Sequence, residues 1–254
     1  MRILSIDSSL GTQVAVVDAA ETAGLPVTCP VQVLSRAEQA DTRRHAESLG
    51  QMLSEALSAP GVADRPLDAV VAATGPAPFT GLRAGLVTAR VVGRTRGIPV
   101  HGVSSLDAVA RLALDEFGAR QGEKDPVVLV ATDARRREVY TALFRANGPD
   151  DVTRLTEIIV CPPAQVAQRL AEQAPGQDGG AGSIDVVAGA GAVLYPELAE
   201  TASCQKALAP VSGDALTQVR IALARLERGE ELSTQPLYLR HADVQMPAAR
   251  KRVR

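Results

Sequence analysis

The residues best suited to chemistry are two aspartates, Asp7 and Asp133, each closing a β-rich run ahead of a turn. Small or polar residues form both turns: Ser8, Ser9 and Gly11 after the first, Ala134 and Arg135 after the second. A carboxylate at a strand end beside a cleft can hold a hydrated cation next to phosphates, with the turn amides binding phosphate oxygens. The same pattern also makes an ordinary turn or cap, which turn statistics alone favour. A second candidate is the loop Gly75-Pro76-Ala77-Pro78-Phe79-Thr80-Gly81-Leu82-Arg83. Two prolines restrict it, Gly75 and Gly81 permit unusual backbone geometry, and Thr80 is placed to cap a helix whose positive end points outward. Such a nose binds an anion or docks a partner, although a rigid strand-to-helix connection uses the same residues.

Other chemistries lack their components. His45, His101 and His241 are too far apart for the i, i+4 pair of a helical metal site. A Ser-His-Asp triad built from distant residues stays open, but no Gly-x-Ser-x-Gly elbow exists to start one. Neither is there a Gly-x-x-x-x-Gly-Lys-Ser/Thr loop for P-loop chemistry. Cys29, Cys161 and Cys204 are odd in number and include no Cys-x-x-Cys pair. They therefore read as buried apolar fillers rather than a disulfide framework or zinc knuckle.

Composition narrows the partners. A hydrophobic share of 46% over 254 residues supplies a real core, for one large domain or two small ones. A net charge of -2 gives no global field toward nucleic acid or an anionic membrane, so any RNA contact must be local or borrowed. With no Trp, three Tyr and three Phe, the chain has few platforms for stacking bases. No apolar run approaches the roughly 20 residues of a membrane span. Met1 to Asp7 reads as a strand rather than a signal segment, and a cytoplasmic location is expected.

Several elements must position these residues. Arg2 to Ser8 and Gln13 to Asp18 form a hairpin, and a third strand is expected within Val27 to Ser35. Thr42 to Ala59 carries Leu49, Met52, Leu53, Ala56 and Leu57 at helical spacing, with Thr42 as candidate N-cap. Leu67 to Ala73 reads as a buried strand leading into the Gly75 loop. In the helix expected over Thr80 to Arg96, Gly81, Gly85, Ala89 and Gly93 recur every four residues along one face. Helical glycines cost about 1 kcal/mol each against Ala, so this face should press closely on a neighbour, either the preceding helix or another subunit. Val100 to Val103 is a short strand, and Ser104 or Ser105 caps a helix through Phe117. Pro126 to Asp133 and Glu138 to Arg145 repeat the strand-turn-strand plan, which points to a duplicated architecture. Gly-rich Ala174 to Ser183 is a loop, Ile184 to Ala190 a strand, and Ser212 to Arg228 an amphipathic helix capped by Ser212. Pro236 to Arg240 is a short strand candidate, followed by the basic tail Arg250 to Arg254.

Six segments together resemble the TsaB (YeaZ) family. They are Met1 to Ser9, the His45-bearing helix, Gly75 to Gly85, Gly102 to Leu106, the Asp133 to Tyr140 stretch (Asp-Ala-Arg-Arg-Arg-Glu-Val-Tyr), and Pro236 to Arg240. Ala77-Pro78 departs from the family's usual Gly-Ser and stiffens the loop against a phosphate contact. The resemblance implies an α/β, actin-like ATPase (ASKHA, ribonuclease H-like) fold of two related α/β subdomains. The first would comprise residues 1–103 with about 205–254, its closing helix packed back on it, and the second residues 104–204.

The resemblance also implies a scaffold subunit with no catalytic residues, metal or cofactor of its own. It would pair with a TsaD-like catalytic subunit through its first two helices and act with a TsaE-like ATPase. Together they attach threonylcarbamoyl to N6 of the adenosine beside the tRNA anticodon. Interface residues would be His45, Leu49, Met52, Gly81, Gly85, Ala89 and Gly93. Asp7, Ser8, Ser9, Gly11 and Asp133 would face a nucleotide, ATP or ADP with magnesium near the partner interface. tRNA would be reached only through the complex, no membrane would be involved, and the free chain could form a homodimer. The alternatives are an actin-like kinase using Asp7 and Asp133 around magnesium-ATP and, ranked below it, a glycoprotease-type metallopeptidase.

Overall fold

The computed structural model describes residues 1–20, 31–40, 45–121, 126–173, 184–201, 207–208 and 214–239. The Thr42 cap, the Gly-rich stretch from Ala174, the Ser212 cap, Arg240, His241 and the basic tail lie outside the described residues.

Two sheets are built on one plan. In the first, β1 (Arg2–Asp7) pairs antiparallel with β2 (Thr12–Ala19), which pairs antiparallel with β3 (Val31–Gln39). On its other side β1 pairs parallel with β4 (Ala69–Ala73), and β4 with β5 (Val100–Val103). The second sheet repeats the scheme with β6 (Val128–Asp133), β7 (Val139–Asn147) and β8 (Asp151–Arg154) antiparallel, and β10 (Val186–Ala188) and β11 (Ala207–Leu208) parallel. A short β9 (Ile159–Cys161) also pairs with β7. The orders β3-β2-β1-β4-β5 and β8-β7-β6-β10-β11 match strand for strand, so the two halves are related.

Five layers follow from which side chains alternate to which face. Leu4, Ile6, Val14 and Val16 pack under α1 (His45–Ser58) and α2 (Phe79–Arg96), while Ile3, Ala15 and Val17 face α6 (Ala215–Glu227). α3 (Ser105–Gln121) packs on the second sheet through Val128, Val130 and Phe144. The opposite face, with Leu129 and Leu143, is covered from α4 (Val166–Gln173) and α5 (Ala190–Leu194). Helices α3 and α6 are thus the shared middle layer.

Arginines weld that layer. Arg225 of α6 reaches Asp107 of α3 at 2.9 Å and Asp151 of β8 at 2.8 Å, and Arg220 reaches Asp115 at 2.6 Å and Asp150 at 2.7 Å. Arg154 adds a second guanidinium to Asp107. Asp107 and Asp151 are both 1% exposed, so each carboxylate depends on these cations for the hydration it has lost.

Three local expectations are corrected. Pro78, not Thr80, occupies the cap of α2, and no side chain bonds there. Neither Ser104 nor Ser105 caps α3 through its side chain, since both hydroxyls are buried without a partner. Pro236 to Leu239 forms no strand: the Leu237 amide donates one backbone hydrogen bond to the Thr74 carbonyl without a ladder, and the edge of β5 is met instead by Leu232, whose carbonyl accepts from the Gly102 amide.

Candidate functional site

The two aspartates end β1 and β6 in equivalent places, and each folds its turn in the same way. Asp7 Oδ1 accepts the Ser9 amide at 2.7 Å, and Asp133 Oδ1 accepts the Arg135 amide at 2.8 Å. Beyond that bond the two turns diverge.

The first turn is sealed into the core. Asp7 is 2% exposed, and its second oxygen accepts Gln218 Nε2 of α6 at 2.7 Å. Burial pushes its carboxyl up to about 6, against the lowering effect of the bonds from Ser9 and Gln218, with the Asp214 charge adding to the rise. The Ser8 hydroxyl donates to the Gly81 carbonyl at 2.8 Å and accepts from the Gly85 amide at 3.1 Å, so it sits inside one turn of α2. A Cβ on Gly11 would lie 2.6 Å from the Gln39 carbonyl. With Asp7, Ser8 and the Ser9 amide all engaged within the chain, this turn does not fit a magnesium-nucleotide.

The second turn projects outward. Arg135, Arg136 and Arg137 are exposed and take φ values of 62°, 57° and 60° in succession. Left-handed backbone costs a side-chain-bearing residue about 1 kcal/mol each. The turn is closed by the Ala134 amide on the Glu138 carbonyl and the Glu138 amide on the Arg135 carbonyl, and Arg135 also pairs with Asp133 at 3.3 Å.

The glycine stripe of α2 faces the chain's own sheet. A Cβ on Gly85 would come within 2.2 Å of Ser8 Oγ and 3.5 Å of Ile6, and one on Gly93 within 2.2 Å of Val100. Gly81, Gly85, Ala89 and Gly93 are all buried, as are Leu49 and Met52 of α1. The close approach that Gly85 and Gly93 permit is to Ser8 and Ile6 and to Val100 of β5, while Leu49, Met52 and Ala89 lie in the core beneath the two helices. His45 opens α1, but its side chain lies outside the described residues. What the helix pair shows to solvent is the opposite face, where Val87 and Val91 are 58% and 53% exposed.

The Gly75 loop is held from several sides. Its Gly75 carbonyl accepts the Ser105 amide at 2.8 Å, and the Gly75-Pro76 bond is cis. The rings of Phe79 and Tyr238 meet edge to face at 5.2 Å, and Arg83 caps both, 5.5 and 5.3 Å from their centroids, and donates to the Tyr238 hydroxyl at 2.9 Å. The segment from Leu232 to Leu239 thus straps the nose of α2, and no signal in the sequence links Arg83 to Tyr238. Gln218 had one: a polar residue in line with Val219 and Ala222 on the buried face of its helix.

Among the described residues, no group of three or more His, Cys, Asp or Glu is placed to hold a metal ion. His101, on β5, is shifted down by burial. No described helix is long and apolar enough to cross a membrane.

Known proteins share this architecture. Residues 32–226 match the family described as TsaD: tRNA N6-adenosine threonylcarbamoyltransferase. A Haemophilus influenzae relative, tRNA threonylcarbamoyladenosine biosynthesis protein TsaB, is 32% identical over 154 residues, covering 56% of this chain and 63% of that one. An uncharacterized protein of Mycobacterium tuberculosis H37Rv is 42% identical over 134 residues, covering 51% of this chain and 58% of that one. The chain thus spans under two thirds of these curated relatives. Among solved structures, a Pseudomonas aeruginosa protein with similarity to peptidase YEAZ superposes with a TM-score of 0.69 at 25% identity, over 94% of this chain and 99% of that one. YeaZ from the same organism gives 0.66 at 23%, over 94% and 100%. The fold is the α/β arrangement of these YeaZ structures, built here from two related halves.

Proposed function

We propose, from the premise that this chain belongs to the tRNA N6-adenosine threonylcarbamoyltransferase (TsaD) family, that it is a TsaB-like scaffold and activator without a catalytic site of its own. It pairs with a TsaD-like subunit, acts beside a TsaE-like ATPase, and helps transfer threonylcarbamoyl to N6 of the adenosine next to the anticodon. The observation that carries this reading is the contrast between the sealed Asp7 turn and the open α1–α2 face. A turn whose carboxylate, hydroxyl and amide are consumed internally has little left to offer a substrate, whereas Val87 and Val91 stand one turn apart and exposed on α2, where a partner could cover them.

In this reading the chain works in the cytoplasm, with residues 1–103 and 205–254 as the partner-facing unit and 104–204 as the second. A nucleotide near the joint would be held mainly by the partner, and a homodimer of the free chain would use the same helical face. No observation favours the kinase or peptidase readings.

The test is reconstitution. Purified chain and its TsaD-like counterpart should co-elute as a heterodimer, and transfer to tRNA should need the counterpart's active site. Transfer by this chain alone overturns the proposal. ATP turnover that Asp7→Ala abolishes would restore the kinase reading.

A further inference from the structure

We infer that the Arg135-Arg136-Arg137 turn is the point at which this chain touches the phosphate backbone of tRNA. The inference rests on the reading that the chain works within a tRNA-modifying assembly.

Three features carry it. The first is the backbone: three successive residues are held left-handed, where Asn or Gly would form the turn with less strain. Arginine at each of them opposes local preference, the mark of a requirement other than stability. The second is the comparison within the chain. The equivalent turn after β1 is drawn into the core by Ser8, while this one is exposed and raised on the β6–β7 hairpin. The third is charge. Asp133 answers Arg135 and Arg136 has an interaction within the chain, but among the described residues Arg137 makes no hydrogen bond or ion pair.

The chemistry selects phosphate. A guanidinium offers two parallel donors to a phosphodiester, and three in one tight turn concentrate positive charge that the whole chain, at -2, lacks. With no Trp and few Tyr or Phe, stacking on bases is a poor alternative. The turn therefore positions tRNA without reading its sequence.

The test uses the assembled complex of this chain with its TsaD-like subunit and a tRNA transcript. The variant Arg136→Asn/Arg137→Asn should fold with an unchanged or raised Tm and form the heterodimer as the parent does. Its tRNA affinity should fall roughly tenfold, and the slope of log K against log salt should lessen by about 2, one for each phosphate contact removed. An intact heterodimer with unchanged affinity and slope overturns the inference. So does a variant that loses the heterodimer, since the turn would then meet an acidic protein surface. If the unmodified chain never pairs with the TsaD-like subunit, the functional reading itself fails and takes this inference with it.

Discussion

The Ser8 hydroxyl stands between the Gly81 carbonyl and the Gly85 amide of α2, and a Cβ on Gly85 would lie 2.2 Å from that oxygen and 3.1 Å from Ser8 Cβ. Two effects of Gly85→Ala oppose each other. Helix propensity favours Ala by about 1 kcal/mol, whereas overpacking a closed core costs about 1–3 kcal/mol. Because Ser8 is pinned on both sides, the steric cost should win. Gly85→Ala is expected to lower Tm, and Ser8→Gly in the same chain should recover much of the loss. A rise in Tm for the single variant would show that the helix stands off the sheet.

Asp7 makes stability depend on pH in the less familiar direction. Its folded carboxyl titrates near 6, above the unfolded value of 3.8, so the folded state binds the proton more tightly. The contribution is fully present below about pH 4 and is lost as pH rises through about 6. For a fully buried group, a rise from 3.8 to about 6 is worth about 3 kcal/mol. Asp7→Asn should remove that dependence, and Gln218 Oε1, buried without a partner, could accept from the new amide once the Gln218 side chain flips. Denaturant midpoints measured from pH 4 to 8 should diverge in favour of the variant between about pH 4 and 6 and hold a constant gap above that; curves parallel over the whole range would refute the assignment.

Arg225 is the keystone between the halves, bonding two carboxylates that are each 1% exposed. Removing it leaves Asp107 with Arg154 alone and Asp151 with Arg228. Arg225→Ala should destabilise by about 1.5–3 kcal/mol in equilibrium unfolding, because each buried carboxylate loses one charged hydrogen bond but keeps a second arginine. Arg225→Lys should recover only part, since an ammonium cannot offer the fork that spans both partners. Equal stability of Ala and Lys variants would mean that the pairs contribute through packing alone.

Much of the frame was legible because periodicity speaks directly to faces. The hairpin from Arg2, the buried strand before Gly75 and the duplicated strand-turn-strand at Asp133 all follow from alternation and turn residues. Periodicity does not say what a face meets. The glycines of α2 announced a close approach, yet only the tertiary structure decides that Ser8 and Val100 make it. The ion pairs of Arg220 and Arg225 join residues 70–118 positions apart, a separation no local pattern encodes. Left-handed arginines were invisible for the opposite reason: propensity assigns such a turn to Gly or Asn.

The interface is best tested on the face that the fold leaves open. Gly85→Leu would probe the core rather than a partner, since its side chain would strike Ser8 and Ile6. Val87 and Val91 point away from the sheet, and α2 carries Arg83, Arg90, Arg94 and Arg96 without one acidic residue. An aspartate at 87 is one turn from both Arg83 and Arg90, so it should leave the isolated chain within about 0.5 kcal/mol of its parent stability. At an apolar contact with a TsaD-like subunit the same carboxylate would be desolvated, which should weaken the heterodimer at least about tenfold. Val87→Asp is therefore expected to separate binding from folding, read by size-exclusion chromatography beside thermal melting. A complex indifferent to Val87→Asp and Val91→Asp would move the interface off α2.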